Sequence, residues 1–175
     1  DIRLTREYGM NTLLITLAWS RIQPDFDGFA EGVLSHYRGV LECCREGGVA
    51  PVCALQHVTL PQWMAAKGGW SNPESPDWFR EYAKRVVGEL GELCEYWIPV
   101  HEGMHGLVAG YQQGHWPPEV RSRRGLEAVM GHQLEAHSFA YRGIKERYPD
   151  AQVGFSVRAA SYVPGNPYNA WDARI

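Results

Sequence analysis

Five consecutive residues, His101-Glu102-Gly103-Met104-His105, hold the densest chemistry in the chain. They admit two readings. H-E-x-x-H on a helix sets two imidazoles on one face as zinc ligands, with the Glu as general base. Alternatively, a Glu directly after a strand stands at the carboxyl edge of a sheet, where binding and catalytic groups collect in α/β folds. Trp97, Tyr111 and Trp116 are near it in sequence. Apolar neighbours desolvate a carboxyl group, raise its pKa and let it donate a proton near neutral pH. Glycoside hydrolysis needs such an acid on the leaving oxygen, and retaining enzymes need a second carboxylate about 5–5.5 Å away. The plainer reading is a surface Glu that opens a loop.

The flanking residues favour the sheet edge. EYWIPV before His101 reads as a strand, with Pro99 two positions upstream, and Gly103 and Gly106 weaken a helix there. Gly110 and His115 do not fit the extended zinc motif. A third ligand would have to be a Glu such as Glu127 or Glu135 on the next helix. The zinc peptidase therefore stays as an alternative, and no metal or other cofactor is expected. His132 and His137 read as structural histidines, and His36 as a solvated one. Arg121, Arg123 and Arg124 read as a solvated basic run.

The elements that would position Glu102 alternate in type. DIRLTREYG reads as a helix tail closed by Gly9. Residues 11–18 are a short apolar run. Residues 31–46 carry Val33, Leu34, Tyr37, Val40, Leu41 and Cys44 at helical spacing before Gly47-Gly48. Residues 50–56 form a buried strand. Ser75-Pro76 reads as an N-cap and N1 pair opening a helix with Phe79, Tyr82, Val86, Val87 and Leu90 on one face. Residues 95–101 are a strand. A long helix runs from Leu126 to Tyr148, with Leu126, Val129, Met130 and Leu134 inward, and residues 152–157 are a further strand. The order α-β-α-β-α-β-α-β predicts a parallel sheet covered by helices, either doubly wound or a (β/α)₈ barrel. The longer loops, 56–74 and 102–122, both follow strands.

The 175 residues suit one domain. A charged fraction of 21% and a net charge of −3 give no reason to expect nucleic acid or an anionic membrane as partner. No apolar run approaches about 20 residues, so no membrane span is expected. Cys43, Cys44, Cys53 and Cys94 include no C-x-x-C pair, and Cys53 and Cys94 read as strand residues. Reduced thiols in a cytoplasmic protein fit better than a disulfide framework. Without an initiator Met or signal peptide, and with NPYNAWDARI stopping on no terminal element, the chain reads as cut at both ends.

Four segments resemble glycoside hydrolase family 1, the β-glucosidase family. NTLLITLAWSRIQPD is similar to its second-strand motif, W-S/P-R-I-x-P. APVCALQHVTLPQWMAAKGGWSNPES is similar to its third-strand motif, T-L-x-H-W-D-L-P followed by G-G-W-x-N. EYWIPVHEGMHGLVAGYQQGHWPP resembles the fourth-strand motif, W-x-T-x-N-E-P, with its G-Y-x-x-G loop. HQLEAHSFAYRGIKERYPDAQVGF resembles the next helix and fifth strand. The resemblance spans nearly the whole chain in order. It implies an incomplete (β/α)₈ TIM barrel, roughly helix 1 to strand 5, with residues 1–175 a partial glycoside hydrolase domain. It implies a retaining β-glycosidase in which Glu102 is the catalytic acid/base. His57 and His101 bind the glycone, and Trp19 joins this substrate-binding set by packing beneath it. His115 and Trp116 would shape the aglycone side. The family's nucleophile, a seventh-strand Glu, would lie beyond Ile175, and its first-strand Gln before Asp1. The partners implied are a small-molecule β-glycoside or oligosaccharide and the remainder of the barrel. The isolated chain is expected to be inactive.

The chain departs from the family at strand ends. Leu14 replaces an Arg that supports the nucleophile. Val58 replaces the Trp after the sugar-binding His. His101 replaces the Asn before the acid/base, Gly103 replaces the following Pro, and Arg158 stands where Asn is usual. Leu14 cannot hold a carboxylate ionised. The Asn contacts the sugar 2-hydroxyl, an interaction that strengthens in the transition state. The changes predict either retuned specificity or a catalytically impaired sugar-binding paralogue.

Overall fold

A computed structural model of the chain describes residues 2–157. In order, the elements are α1 (Ile2–Glu7), β1 (Thr12–Thr16), α2 (Trp19–Ile22), α3 (Glu31–Glu46), β2 (Ala50–His57), α4 (Gln62–Ala66), α5 (Ser75–Leu90), β3 (Tyr96–His101), α6 (Gly103–Leu107), α7 (Arg123–Arg147) and β4 (Gln152–Val153). Gly9 closes α1 at φ +74, the left-handed conformation that glycine adopts without strain. A π-helical turn, Val108–Gln112, continues α6.

All strand pairs are parallel, and the sheet order is β1-β2-β3-β4. A doubly wound sheet reverses its strand order at a switch point, whereas a barrel adds strands in chain order. No reversal occurs among the described residues. Leu14, Val52 and Tyr96 are register partners in one row. Leu14 is 45% and Tyr96 38% exposed, so this face of the row lacks cover. The opposite row of Ile15, Cys53 and Trp97 is packed into the core.

The core gathers aromatic side chains behind the strand ends. Trp19 stacks on Tyr82 at 4.9 Å between centroids, and Phe79 and Trp70 meet it edge-on and tilted. The buried Tyr82 hydroxyl lies 2.9 Å from the Leu17 carbonyl and 3.0 Å from that of Leu55. It ties α5 to the exits of β1 and β2 at once. No described helix is long and apolar enough to cross a membrane.

Several expectations are corrected. Ser75 is the first residue of α5, not its cap. Glu74 takes the cap position, and the buried Ser75 hydroxyl has no hydrogen-bond partner. Leu134 faces outward at 67% exposure, because the buried stripe of α7 runs through Leu126, Val129, Gln133, Ala136, Ala140 and Ile144, and Leu134 lies about 100° round the helix from Gln133. Cys94 ends a 3₁₀ turn before β3 instead of lying in a strand. The expected strand 152–157 pairs only over Gln152–Val153. Residues 102–122 are not simply a loop, since α6 and the π-turn occupy their first half. Arg158 lies outside the described residues. The four thiols are free, with Cys43 exposed and the others buried.

Candidate active site

The strands β2 and β3 end on register partners, His57 and His101. Their ring centroids are 4.6 Å apart with planes at 60°. Each is followed by a non-glycine residue at positive φ: Val58 at 61° and Glu102 at 48°. Left-handed backbone is uncommon outside glycine, and for a β-branched residue it is an outlier. Such strain costs roughly 1–3 kcal/mol and persists where the surroundings over-determine it, often at functional sites. Here both strained residues turn the chain sharply at the same sheet edge.

The turn at Glu102 starts α6. Its carbonyl accepts from the His105 N–H at 3.0 Å, while its side chain makes no capping hydrogen bond. The carboxylate stands near His57, with Oε2 3.7 Å from Nε2. That separation allows an ion pair when the imidazole is protonated, but it is too long for a direct hydrogen bond. Both side chains keep over a third of their surface, 38% and 36%. Three expected apolar neighbours do not cover Glu102. Trp97 is a core residue whose indole N–H donates to the Cys94 carbonyl at 2.9 Å. The buried Tyr111 hydroxyl accepts from the Trp70 N–H at 2.8 Å. Trp116 packs edge-on against His105 at 5.1 Å.

His101 is the more enclosed histidine. Its Nδ1 is buried without a hydrogen-bond partner. Burial pushes its pKa below the ordinary value, the neighbouring His57 pushes in the same direction, and Glu102 opposes them. A neutral imidazole with an unused ring nitrogen can donate or accept toward a bound group.

Trp19 is 1% exposed, and its indole N–H donates to Gln23 at 2.8 Å. Trp19 therefore packs within the core beneath the strand ends. Leu14 lies on the uncovered face, and its apolar side chain has no group that could pair with a charge. The H-E-x-x-H pattern does not occupy one helix, since His101 closes β3, Glu102 is left-handed, and His105 alone is helical. Among the described residues no group of three or more His, Cys, Asp or Glu is arranged to hold a metal ion. His132 Nδ1 lies 2.7 Å from the Trp70 carbonyl, the structural role expected of it.

Gln56 escaped the reading from sequence. It is 2% exposed, and its Oε1 is buried with no partner. A lone amide inside the apolar run VCALQHV was the available signal.

Residues 1–174 match Glycosyl hydrolase family 1. Beta-glucosidase A of Acetivibrio thermocellus is 28% identical over 167 residues, covering 95% of this chain and 37% of that protein. The 6-phospho-beta-galactosidase 1 of Streptococcus pneumoniae is 31% identical over 156 residues, covering 88% and 33%. The solved beta-glucosidase from Thermotoga maritima in complex with glucoimidazole superposes with a TM-score of 0.92 at 26% identity, covering 99% of this chain and 40% of that one. The chain thus spans under half the length of these relatives, and its sheet and helices are part of a (β/α)₈ barrel. By its match over residues 1–174, the chain belongs to glycosyl hydrolase family 1.

Proposed function

We propose that the protein carrying this chain is a retaining β-glycosidase, and that Glu102 is its acid/base. The observation that carries this is Glu102 at the exit of β3, its carboxylate uncapped and 3.7 Å from His57. Glu102 in its acid form would protonate the glycosidic oxygen as the bond to the anomeric carbon breaks. It would then take a proton from water during hydrolysis of the glycosyl-enzyme. The carboxylate that forms that intermediate would come from outside residues 1–175. His57 and His101 would hold the glycone hydroxyls. The chemistry requires no metal or organic cofactor. The substrate class is a small-molecule β-glycoside or oligosaccharide, in keeping with the names of the relatives.

A second reading is a sugar-binding relative with impaired catalysis. Leu14, 45% exposed where the family resemblance puts an Arg, favours it. Turnover of a panel of β-glycosides separates the two. The panel includes a 6-phosphoglycoside and a poor alkyl leaving group, and the full-length protein is compared with Glu102→Gln. Activity lost most severely on the poor leaving group supports the acid/base role. Inactivity of the parent on every sugar overturns the glycosidase reading.

A further inference from the structure

The segment that begins at Glu102 is fastened at two points, and both fastenings lead to adjacent residues of α7. The far point is Tyr111, in the π-helical turn Val108–Gln112. Its buried hydroxyl accepts from the Trp70 N–H at 2.8 Å. The Trp70 carbonyl lies 2.7 Å from His132 Nδ1, and a carbonyl can only accept, so this nitrogen carries the proton. Trp70 itself is buried and packs against Trp19 and Phe79. Tyr111 is thus tied through Trp70 both to the core and to α7.

The near point is Gly103, directly after Glu102. Glycine leaves the backbone more freedom than any other residue, and here it follows a residue held at φ 48. The Glu102 side chain makes no capping hydrogen bond that would steady the turn. Packing confines it instead. A Cβ at residue 103 would overlap the Gln133 amide oxygen, and would stand 2.9 Å from Gln133 Cδ and 2.8 Å from Val100 Cγ1. The Gln133 amide therefore occupies the place that a side chain at residue 103 would take. Gln133 is buried and follows His132 on α7.

We propose that Gln133 is a positioning residue for the acid/base: by filling the space over Gly103 it holds the left-handed turn that aims the Glu102 carboxylate. The proposal rests on Glu102 being the acid/base. A displacement of about 1 Å at a reacting group can cost on the order of a hundredfold in rate. Side chains that transfer no proton themselves supply such precision by locking the one that does. Removing the Gln133 amide would leave the far anchor at Tyr111 intact and the turn at Glu102 loose.

The test uses the full-length protein and the sugar it turns over fastest. It compares kcat/KM on the methyl β-glycoside, whose leaving group needs a proton, with that on the 2,4-dinitrophenyl β-glycoside, whose leaving group does not. Gln133→Ala should lower the first about tenfold and leave the second within about twofold. Gln133→Met, an unbranched side chain of similar length, should restore the rate on the methyl glycoside. In the Gln133→Ala background, Gly103→Ala should recover part of it, because the new methyl group enters the vacated space. Should Gln133→Ala not fold, Gln133→Asn, shorter by one methylene, should show a smaller loss confined to the methyl glycoside. Equal losses on both substrates, or none on the methyl glycoside, overturn the inference and leave the glycosidase reading standing. So does a Gln133→Met variant as slow as Gln133→Ala. A parent inactive on every glycoside overturns both.

Discussion

His57 and His101 face each other as the last paired residues of neighbouring parallel strands, ring centroids 4.6 Å apart. If both became cations at that distance they would repel, while Glu102, 3.7 Å from His57, faces them with opposite charge. Burial and this neighbour together depress the pKa of His101.

The depressed value predicts acid lability. The unfolded imidazole titrates near its ordinary 6.5, and the folded one below it. Between those values the unfolded state binds more protons, so stability is present above about pH 6.5 and is lost as pH falls through the native pKa. His137, also depressed by burial, acts in the same direction. Thermal midpoints measured from about pH 7.5 to 5 should fall. His101→Asn should flatten part of that slope, and an identical slope in the variant would count against the argument.

Glu102→Gln removes the proton donor while keeping the side-chain shape. General acid/base groups contribute typically about 10²–10⁴ in rate. The loss in kcat/KM on alkyl β-glycosides should lie in that range, and that on activated aryl substrates should be smaller. Equal losses on both would point to a structural role.

Gly103→Ala should destabilise. A Cβ there would lie 2.2 Å from Gln133 Oε1 and 2.8 Å from Val100 Cγ1. Overpacking of this kind costs about 1–3 kcal/mol. Denaturant unfolding of Gly103→Ala should show that loss, and adding Gln133→Ala should recover part of it. Additive losses in the double variant would contradict the clash.

Val58→Asn should stabilise. Asn tolerates left-handed backbone far better than a β-branched residue, and the strain at Val58 is worth about 1–3 kcal/mol. Some packing against Gly106 is lost, so the net gain should be about 1 kcal/mol. An unchanged or lower denaturant midpoint would argue that the turn is not strained.

Trp19→Ala removes the hub of the aromatic cluster and should cost about 3–5 kcal/mol. Trp19→Phe should cost less, since it keeps a ring against Tyr82 and loses the hydrogen bond to Gln23. Intact stability together with a selective rise in KM would instead place Trp19 in direct substrate contact.

The sequence alone decided what depends on local pattern and on short motifs. The spacing of Leu34, Tyr37, Leu41 and Cys44 fixed α3 to the residue, because helix periodicity and the Gly47-Gly48 stop are local signals. The alternation of strands and helices limited the fold to two parallel architectures, and the motifs around His57 and Glu102 pointed to one. Tertiary structure decided which of those architectures holds, through a sheet order without reversal. It decided that Leu134 faces out and that, among residues 152–157, the strand register with β3 stops at Val153, because facing and pairing depend on partners distant in sequence. It also decided the surroundings of the acid. Nearness in sequence suggested Trp97 and Tyr111 as its apolar cover, yet a strand alternates its side chains and a helix turns them away. Both rings went to the core, and only the fold could bring His57 from another strand to 3.7 Å from Glu102.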